Sequence, residues 1–313
     1  MPRLFAVFSL LALIGVAICG CIRSESYPKA SLYKNLVRSH TSDARLVQAP
    51  YRIAVANICS PRETARTYGP VVAYLSKKLK HPAQLVLARS YAELNQMVGS
   101  GDAIAAFVCS RGYVDGHKDF GLELVAAPAF RGQPVYYCYV IVSADSKAAG
   151  LRDLRGLRFA FTERGSNTGC LVPGYQIRKL GGRPESFFSK LIYTGSHDRS
   201  IVAVRDKMVD GAAVDSLIYE QAVRDEPDLR SRMRILARYG PYGSPPVVVN
   251  PHAPEGFKAA MKGILLNMHK DREARELLDS LMANRFVAID DSAYESVRAM
   301  IREVELSASQ TRR

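Results

Sequence analysis

The chain has 313 residues, of which 48% are hydrophobic and 23% are charged, a composition that excludes a disordered or fibrous protein. At about 150 residues per domain the length predicts two domains, and a chain of this size needs no disulfide or metal ion to fold. The net charge of +13 favours an anionic partner, but the basic residues are spread along the chain, which argues against nucleic-acid binding.

The first 20 residues have the pattern of a bacterial secretory signal. Arg3 precedes an uncharged apolar stretch over residues 4–18, and residues 18–21 have the sequence ICGC. These four residues resemble a lipobox, so we expect cleavage before Cys21, lipidation of Cys21 and a periplasmic protein anchored to the membrane. An uncleaved membrane anchor is the alternative. Residues 21–50 show no sustained apolar period and are predicted to form a tether.

From Tyr51 onward, strand and helix patterns alternate in two series. The first series predicts strands at residues 51–58, 83–88 and 103–108 and helices at 61–79 and 91–98. The second predicts strands at residues 158–162, 191–193 and 211–214 and helices at 170–180 and 198–207. Lone apolar strands are predicted at residues 134–142 and 245–250, and three helices close the chain at 255–269, 273–283 and 292–303. Each alternating series predicts parallel strands with right-handed crossovers.

This order of elements predicts an α/β clamshell. Two lobes, each a mainly parallel sheet flanked by helices, would be joined by two hinge strands. Because the chain returns to the first lobe after the second, we expect lobe 1 to contain residues 51–137 and 243–313 and lobe 2 to contain residues 138–242.

A candidate oxyanion site begins the first helix of the second lobe. Ser166, Asn167 and Thr168 lie between Gly165 and Gly169 at a predicted strand-to-helix junction. Free N–H groups at a helix start, together with short polar side chains, favour the binding of an oxyanion. The same residue types are preferred helix caps, so capping alone is the alternative.

Two further residues stand at predicted helix starts of the second lobe. His197 could donate a hydrogen bond to an oxyanion with support from the helix dipole. Asp215 follows a predicted strand, and its carboxylate would accept a hydrogen bond from a protonated oxyanion but repel a fully ionised one. The alternatives are a solvated histidine near a cap and a helix-capping aspartate.

Besides Cys21, four cysteines remain beyond the signal: Cys59, Cys109, Cys138 and Cys170. Cys59 and Cys109 follow strands at the same end of the first predicted sheet, so we expect them to lie close together, and an oxidising compartment would allow a disulfide between them. Cys170 lies near a helix N-terminus, which lowers a thiol pKa, and His197 could act as its base. A cysteine-dependent enzyme is therefore a third, less favoured function.

Five segments carry a family resemblance, in order and spacing: residues 159–161 (FAF), 165–175 (GSNTGCLVPGY), 195–198 (GSHD), 212–216 (AAVDS) and 285–294 (RFVAIDDSAY). With them, residues 51–303 resemble the phosphate, phosphite and phosphonate substrate-binding proteins of ABC importers. The resemblance implies a type II periplasmic-binding-protein fold and a monomer that captures a phosphorus oxyanion and delivers it to a membrane permease. It implies no catalysis, cofactor, metal or nucleic acid. A ligand-sensing partner of a membrane sensor kinase or chemoreceptor is the alternative.

The resemblance also implies the ligand-contacting positions, which are Tyr91, Tyr136, Ser166, Asn167, Thr168, His197 and Asp215. The chain departs from the family at several places. Asn167 and Thr168 stand where Thr and Ser are commoner, and Cys170 replaces an aromatic residue. Ser244 stands where binders of aminophosphonates carry a second acid, which disfavours a ligand with an ammonium group.

Overall fold

The computed structural model describes residues 49–56 and 58–310. The predicted signal peptide, the lipidation site Cys21 and nearly all of the predicted tether lie outside the described residues. Within the described ranges, no helix is both long and apolar enough to cross a bilayer.

The described residues form two sheets flanked by helices. The strands are β1 (Tyr51–Val55), β2 (Ala83–Leu87), β3 (Ala105–Phe107), β4 (Glu123–Ala129), β5 (Val135–Ser143), β6 (Arg158–Phe161), β7 (Lys190–Tyr193), β8 (Gly211–Asp215), β9 (Met233–Gly243), β10 (Val247–Val249) and β11 (Arg285–Val287). The helices are α1 (Pro61–Leu79), α2 (Tyr91–Ser100), α3 (Ser110–Phe120), α4 (Val172–Lys179), α5 (Pro184–Phe187), α6 (His197–Arg205), α7 (Ser216–Asp225), α8 (Leu229–Arg232), α9 (Glu255–Asn267), α10 (Arg275–Ser280) and α11 (Glu295–Gln310).

The first sheet has the strand order β11-β4-β10-β3-β1-β2. Its β1 pairs in parallel with both β2 and β3, as the alternating pattern predicts. The other pairings are antiparallel, because β10 runs against β3 and β4, and β11 runs against β4. The sheet is therefore mixed, and its parallel strands β1, β2 and β3 are the three that the sequence pattern predicted.

The second sheet has the strand order β7-β6-β8-β5-β9. Its β6 pairs in parallel with β7 and β8, again as predicted, whereas β5 runs antiparallel to β8 and β9. The chain passes from the first sheet to the second between β4 and β5 and returns between β9 and β10. Tyr136, which belongs to the strand predicted at residues 134–142, lies within β5, opposite Tyr242 of β9.

Several helices and strands of the structure were missing from the sequence-based prediction. Strands β4, β9 and β11 and helices α3, α5 and α8 were not predicted, and of α7 only the start next to Asp215 was predicted. Strand β9 (MRILARYGPYG) interrupts its apolar residues with arginine, glycine and proline, which an edge strand tolerates. Helix α3 contains Gly112 and Gly116, which disfavour a helix, but a Cβ at Gly116 would lie 2.7 Å from Leu122 and 2.9 Å from Asn95. Close packing therefore overrides local propensity there.

The apolar core lies in three clusters. One cluster packs the first sheet against its helices and includes Ile53 and Phe257. Another packs the second sheet against its helices and includes Ile141 and Ile201. The largest joins buried residues from both sheets and their junctions, Tyr136 among them. This shared cluster surrounds the candidate site.

Candidate functional site

The candidate residues lie where the two sheets face each other. The segment after β1 meets the start of α6, since the His197 N–H donates to the Ile58 carbonyl at 3.0 Å. Beside it, the Ser60 N–H lies 3.0 Å from both carboxylate oxygens of Asp198. Arg111 of α3 also donates to the Arg164 carbonyl at 2.7 Å. Loops at the carboxyl ends of the strands are therefore in contact, the place where α/β proteins bind ligands.

Ser166, Asn167 and Thr168 begin a single π-helical turn that leads into α4, and each side chain is at most 1% exposed. The Ser166 Oγ accepts a hydrogen bond from the Gly169 N–H at 3.0 Å, so this residue does cap the turn. A Cβ at Gly169 would lie only 2.0 Å from Thr162 Oγ1, which makes glycine obligatory in this arrangement. Capping and oxyanion binding are compatible, because the serine hydroxyl keeps its own proton to donate.

Asn167 and Tyr136 form the polar centre of the site. The Asn167 Nδ2 donates to the Tyr136 hydroxyl at 3.0 Å, and that hydroxyl shares a further 3.0 Å hydrogen bond with Ser110. Ser110 donates in turn to the Gly243 carbonyl at 2.6 Å. The Asn167 Oδ1 is buried and has no hydrogen-bond partner among the described residues. An unpartnered buried amide atom is costly, so it marks a position where a ligand group would be stabilised.

His197 is almost fully buried, with 2% exposure. Its Nδ1 accepts a hydrogen bond from the Asp215 N–H at 3.0 Å, and its Nε2 lies 3.4 Å from Ser166 Oγ. Burial lowers the His197 pKa to about 4, so the ring is neutral at pH 7. Since Nδ1 is an acceptor, the single proton resides on Nε2, and the ring presents a donor beside Ser166.

Asp215 lies at the end of β8 and is also buried. Its Oδ1 accepts from the Leu217 N–H at 2.7 Å, so the capping role holds. Burial raises the Asp215 pKa to about 7, while hydrogen bonds from the Leu217 and Ile218 N–H groups act in the opposite direction. Near neutral pH this carboxyl is therefore present both protonated, when it can donate a hydrogen bond, and ionised, when it can only accept one.

Tyr91 begins α2, whose N-terminus is capped by the Ser90 Oγ accepting from the Glu93 N–H at 3.1 Å. It packs against the loop of the opposite sheet, because a Cβ at Gly165 would lie 3.0 Å from the Tyr91 Cβ. Burial holds the pKa of Tyr91 and of Tyr136 well above the ordinary value. Both hydroxyls therefore stay protonated, and the Tyr136 proton is shared with Ser110 Oγ, because Ser110 gives its own proton to the Gly243 carbonyl.

The structure joins five of the predicted residues by hydrogen bonds: Tyr136 with Asn167, and Ser166 and Asp215 with His197. Thr168 is buried next to them, and its carbonyl lies 3.1 Å from the Cys138 Sγ. Sequence reasoning missed Ser110 as part of the site. Ser110 is the first residue of α3 and follows β3, just as Ser216 is the first residue of α7 and follows β8. A polar residue at this strand-to-helix junction is the sequence feature from which its role could have been predicted.

The structure does not support two possibilities that the sequence left open for the cysteines. All four in the described ranges are free thiols, so no disulfide joins Cys59 to Cys109. Instead, the Cys109 Sγ accepts from the Gly112 N–H at 3.2 Å and lies 3.5 Å from the Gly165 carbonyl. Burial raises the Cys170 pKa to about 11, opposite to the lowering that a nucleophile requires. The cysteine-dependent enzyme is thereby disfavoured.

Comparison with known proteins places this geometry in a family. The family profile described as "ABC transporter, phosphonate, periplasmic substrate-binding protein" matches residues 53–294. The chain is 26% identical over 175 residues to the probable ABC transporter phosphite binding protein PhnD1 of Prochlorococcus marinus, covering 52% of this chain and 57% of that protein. It is 25% identical over 180 residues to the phosphonates-binding periplasmic protein of Escherichia coli, covering 56% and 53%. The chain thus aligns with about half the length of these curated relatives.

Solved structures show the same fold. A binding protein component of an ABC phosphonate transporter from Pseudomonas aeruginosa superposes with a TM-score of 0.75 at 20% identity, covering 80% of this chain and 85% of that one. PhnD1 from Prochlorococcus marinus in complex with methylphosphonate superposes with a TM-score of 0.74 at 19% identity, covering 82% and 98%. These likenesses confirm the predicted two-lobe α/β clamshell of type II periplasmic binding proteins.

Proposed function

The chain belongs to the periplasmic phosphonate substrate-binding protein family of ABC transporters, and from this premise we propose that it binds phosphate, phosphite or a phosphonate between its lobes and delivers it to a membrane permease. It would act as a monomer, with lobe 1 formed by residues 51–137 and 243–313 and lobe 2 by residues 138–242. The ligand would contact Tyr91, Tyr136, Ser166, Asn167, Thr168, His197 and Asp215.

The observation that carries this proposal is the placement of the His197 Nε2 3.4 Å from the Ser166 Oγ at the start of a helix. Both are buried neutral donors, and the Asp215 N–H fixes the ring tautomer. Neutral donors in a buried site bind an oxyanion without the desolvation cost of a buried cation. The unpartnered Asn167 Oδ1 adds an acceptor for a ligand hydroxyl.

Asp215 supplies selectivity in this proposal. A phosphorus oxyanion that retains a proton can donate to the ionised carboxylate, whereas sulfate at neutral pH has no proton to give. Above about pH 7, where the Asp215 carboxyl is ionised, this group and a sulfate would therefore face each other unpaired, which costs several kcal/mol in a buried site.

We also propose that Cys21 is lipidated and that residues 21–50 hold the lobes away from the membrane. The support is the ICGC sequence ahead of a periplasmic family fold. Wild-type protein expressed in a bacterial host with a labelled fatty acid should incorporate the label, and a Cys21→Ser variant should not. A wild-type protein that carries no acyl group and keeps residues 1–20 would favour the uncleaved anchor instead.

The experiment that tests the binding function is calorimetry of the mature protein with phosphate, phosphite, methylphosphonate, aminoethylphosphonate and sulfate. At pH 8, where Asp215 is ionised, binding of at least one phosphorus oxyanion and rejection of sulfate are expected. Ligand at 100 times its dissociation constant should stabilise the fold by about 2.7 kcal/mol, so a thermal-shift assay provides an independent readout. No binding of any phosphorus oxyanion would overturn the proposal.

A further inference from the structure

A cavity of about 60 Å³ lies beside the candidate oxyanion site. Its walls come from the first sheet and its helices on one side and from α7 on the other. Among the residues lining it are Tyr68, Phe107, Phe130, Phe286, Leu217 and Ile218. Of the seven predicted ligand residues, only Asp215 reaches it, so the cavity is distinct from the Ser166–His197 region.

Asp215 connects the cavity to the oxyanion site. Its N–H donates to His197 Nδ1 at 3.0 Å, while its carboxyl group lines the cavity. Asp215 therefore borders both the His197 region and the cavity, so a ligand substituent that enters the cavity would pass beside its carboxyl group.

The polar groups in the cavity walls are mostly occupied by the protein itself. Thr64 Oγ1 donates to the Cys59 carbonyl at 3.0 Å, and Ser280 Oγ donates to the Leu277 carbonyl at 2.8 Å. Asp215 Oδ1 accepts from its own helix. The cavity therefore offers mainly aromatic and aliphatic surface, which favours an apolar occupant.

We propose that this cavity takes an apolar substituent on the phosphorus atom, so that the preferred ligand is an alkyl- or arylphosphonate of roughly four to six carbon atoms. The size follows because a group the size of a water molecule takes up about 10–15 Å³ of such a cavity. The inference rests on the proposed function, since the phosphonate group would have to be held at Ser166 and His197. Phosphate, phosphite and methylphosphonate would leave the cavity unfilled.

The test is calorimetry of the mature wild-type protein with methylphosphonate, butylphosphonate, phenylphosphonate and butanesulfonate at one pH. Butylphosphonate and phenylphosphonate are expected to bind at least about tenfold more tightly than methylphosphonate, because each buried methylene adds roughly fourfold. Equal affinities, or tighter binding of methylphosphonate, would overturn the inference and leave the proposed function standing. If none of the phosphonates binds, the inference is wrong, and calorimetry with phosphate and phosphite then decides whether the proposed function stands. Butanesulfonate, which has no proton to share with Asp215, should bind weakly; affinity equal to that of butylphosphonate would contradict a phosphonate as the preferred ligand.

A pair of variants locates the substituent. Leu217→Phe narrows the cavity and should weaken butylphosphonate binding much more than methylphosphonate binding. Ile235→Phe enlarges a side chain that is 40% exposed on β9, away from the cavity, and is the matched control expected to change neither affinity. Equal losses for both ligands in Leu217→Phe would place the substituent elsewhere. If Leu217→Phe does not fold, the wild-type affinity ratio still decides the question.

Discussion

The backbone N–H of Asp215 donates a hydrogen bond to the Nδ1 atom of His197 at 3.0 Å. These residues are 18 positions apart, at the end of β8 and the start of α6. The contact makes Nδ1 an acceptor, so the neutral ring carries its proton on Nε2, the atom next to Ser166. One main-chain contact thus determines that this histidine donates towards the candidate ligand.

His197→Asn separates the two functions of the ring. An asparagine oxygen can still accept from the Asp215 N–H, but no donor remains at the Nε2 position. We expect phosphonate affinity to fall tenfold or more, because a hydrogen bond to a charged group is worth roughly 1.5–3 kcal/mol. Calorimetry measures the affinity and thermal unfolding reports the fold. Unchanged affinity in a folded variant would remove His197 from the site.

Ser166→Ala combined with Thr168→Ala should weaken oxyanion binding at least tenfold, since two buried hydroxyl donors are lost. It should also destabilise the protein by about 1 kcal/mol, because the Gly169 N–H loses its cap. Thr168→Ser is the matched control that retains a hydroxyl and should bind nearly as well as wild type. Loss of stability without loss of affinity would show that Ser166 is only a cap.

Asp215→Asn should admit sulfate. The substitution keeps the shape and the acceptor for the Leu217 N–H, but it removes the charge and supplies a donor. At pH 8 we expect measurable sulfate affinity in Asp215→Asn and none in wild type, with weaker preference for the protonated phosphorus ligand. A variant that still ignores sulfate and holds its original ligand equally well would show that Asp215 only caps α7.

The pKa values of Asp215 and His197 predict opposite pH dependences of stability. Burial raises the pKa of Asp215 from its ordinary 3.8 to about 7, so the folded state holds the proton more tightly than the unfolded state does. The resulting contribution of Asp215 to the free energy of unfolding is complete at low pH and is lost as the pH rises from about 4 through 7. Asp215→Asn should therefore gain stability relative to wild type over that range, by up to about 1.4 kcal/mol per pH unit.

Burial lowers the pKa of His197 from 6.5 to about 4, so wild type should lose stability relative to His197→Asn as the pH falls from about 6.5 through 4. Urea unfolding at several pH values measures both differences, and parallel curves for wild type and variants would contradict them.

The cysteines of the described ranges should all be alkylated when the unreduced protein is unfolded, because each is a free thiol. In the folded protein Cys170 should react slowly with iodoacetamide at pH 7, since burial raises its pKa to about 11. Mass spectrometry of the labelled peptides measures both. A cross-linked peptide pair containing Cys59 and Cys109, or rapid labelling of Cys170, would contradict these expectations.

The parallel parts of both sheets could be predicted because their strands are short apolar runs, each followed by a segment in which apolar residues recur with the period of a helix. Helix α1, predicted over residues 61–79, occupies Pro61–Leu79 in the structure. Strand β9 could not be predicted in this way, because its sequence is mixed and only pairing with β5 makes it a strand. For the site, the Gly-Ser-Asn-Thr-Gly segment was visible as a pattern, whereas the contribution of Ser110 depends on Tyr136 and Gly243, which are distant along the chain.

By itself, the sequence determined the alternation of strands and helices, the family resemblance and the positions of polar residues at helix starts, because these depend on neighbours along the chain. Only the tertiary structure decided what those residues can do. His197 is neutral and Asp215 titrates near 7 because segments far apart in the chain exclude water from them, as the contact between the His197 N–H and the Ile58 carbonyl shows. The same burial raises the pKa of Cys170, which the local helix start alone would lower. Desolvation depends on every atom that packs around a group, and no pattern of neighbouring residues contains that information.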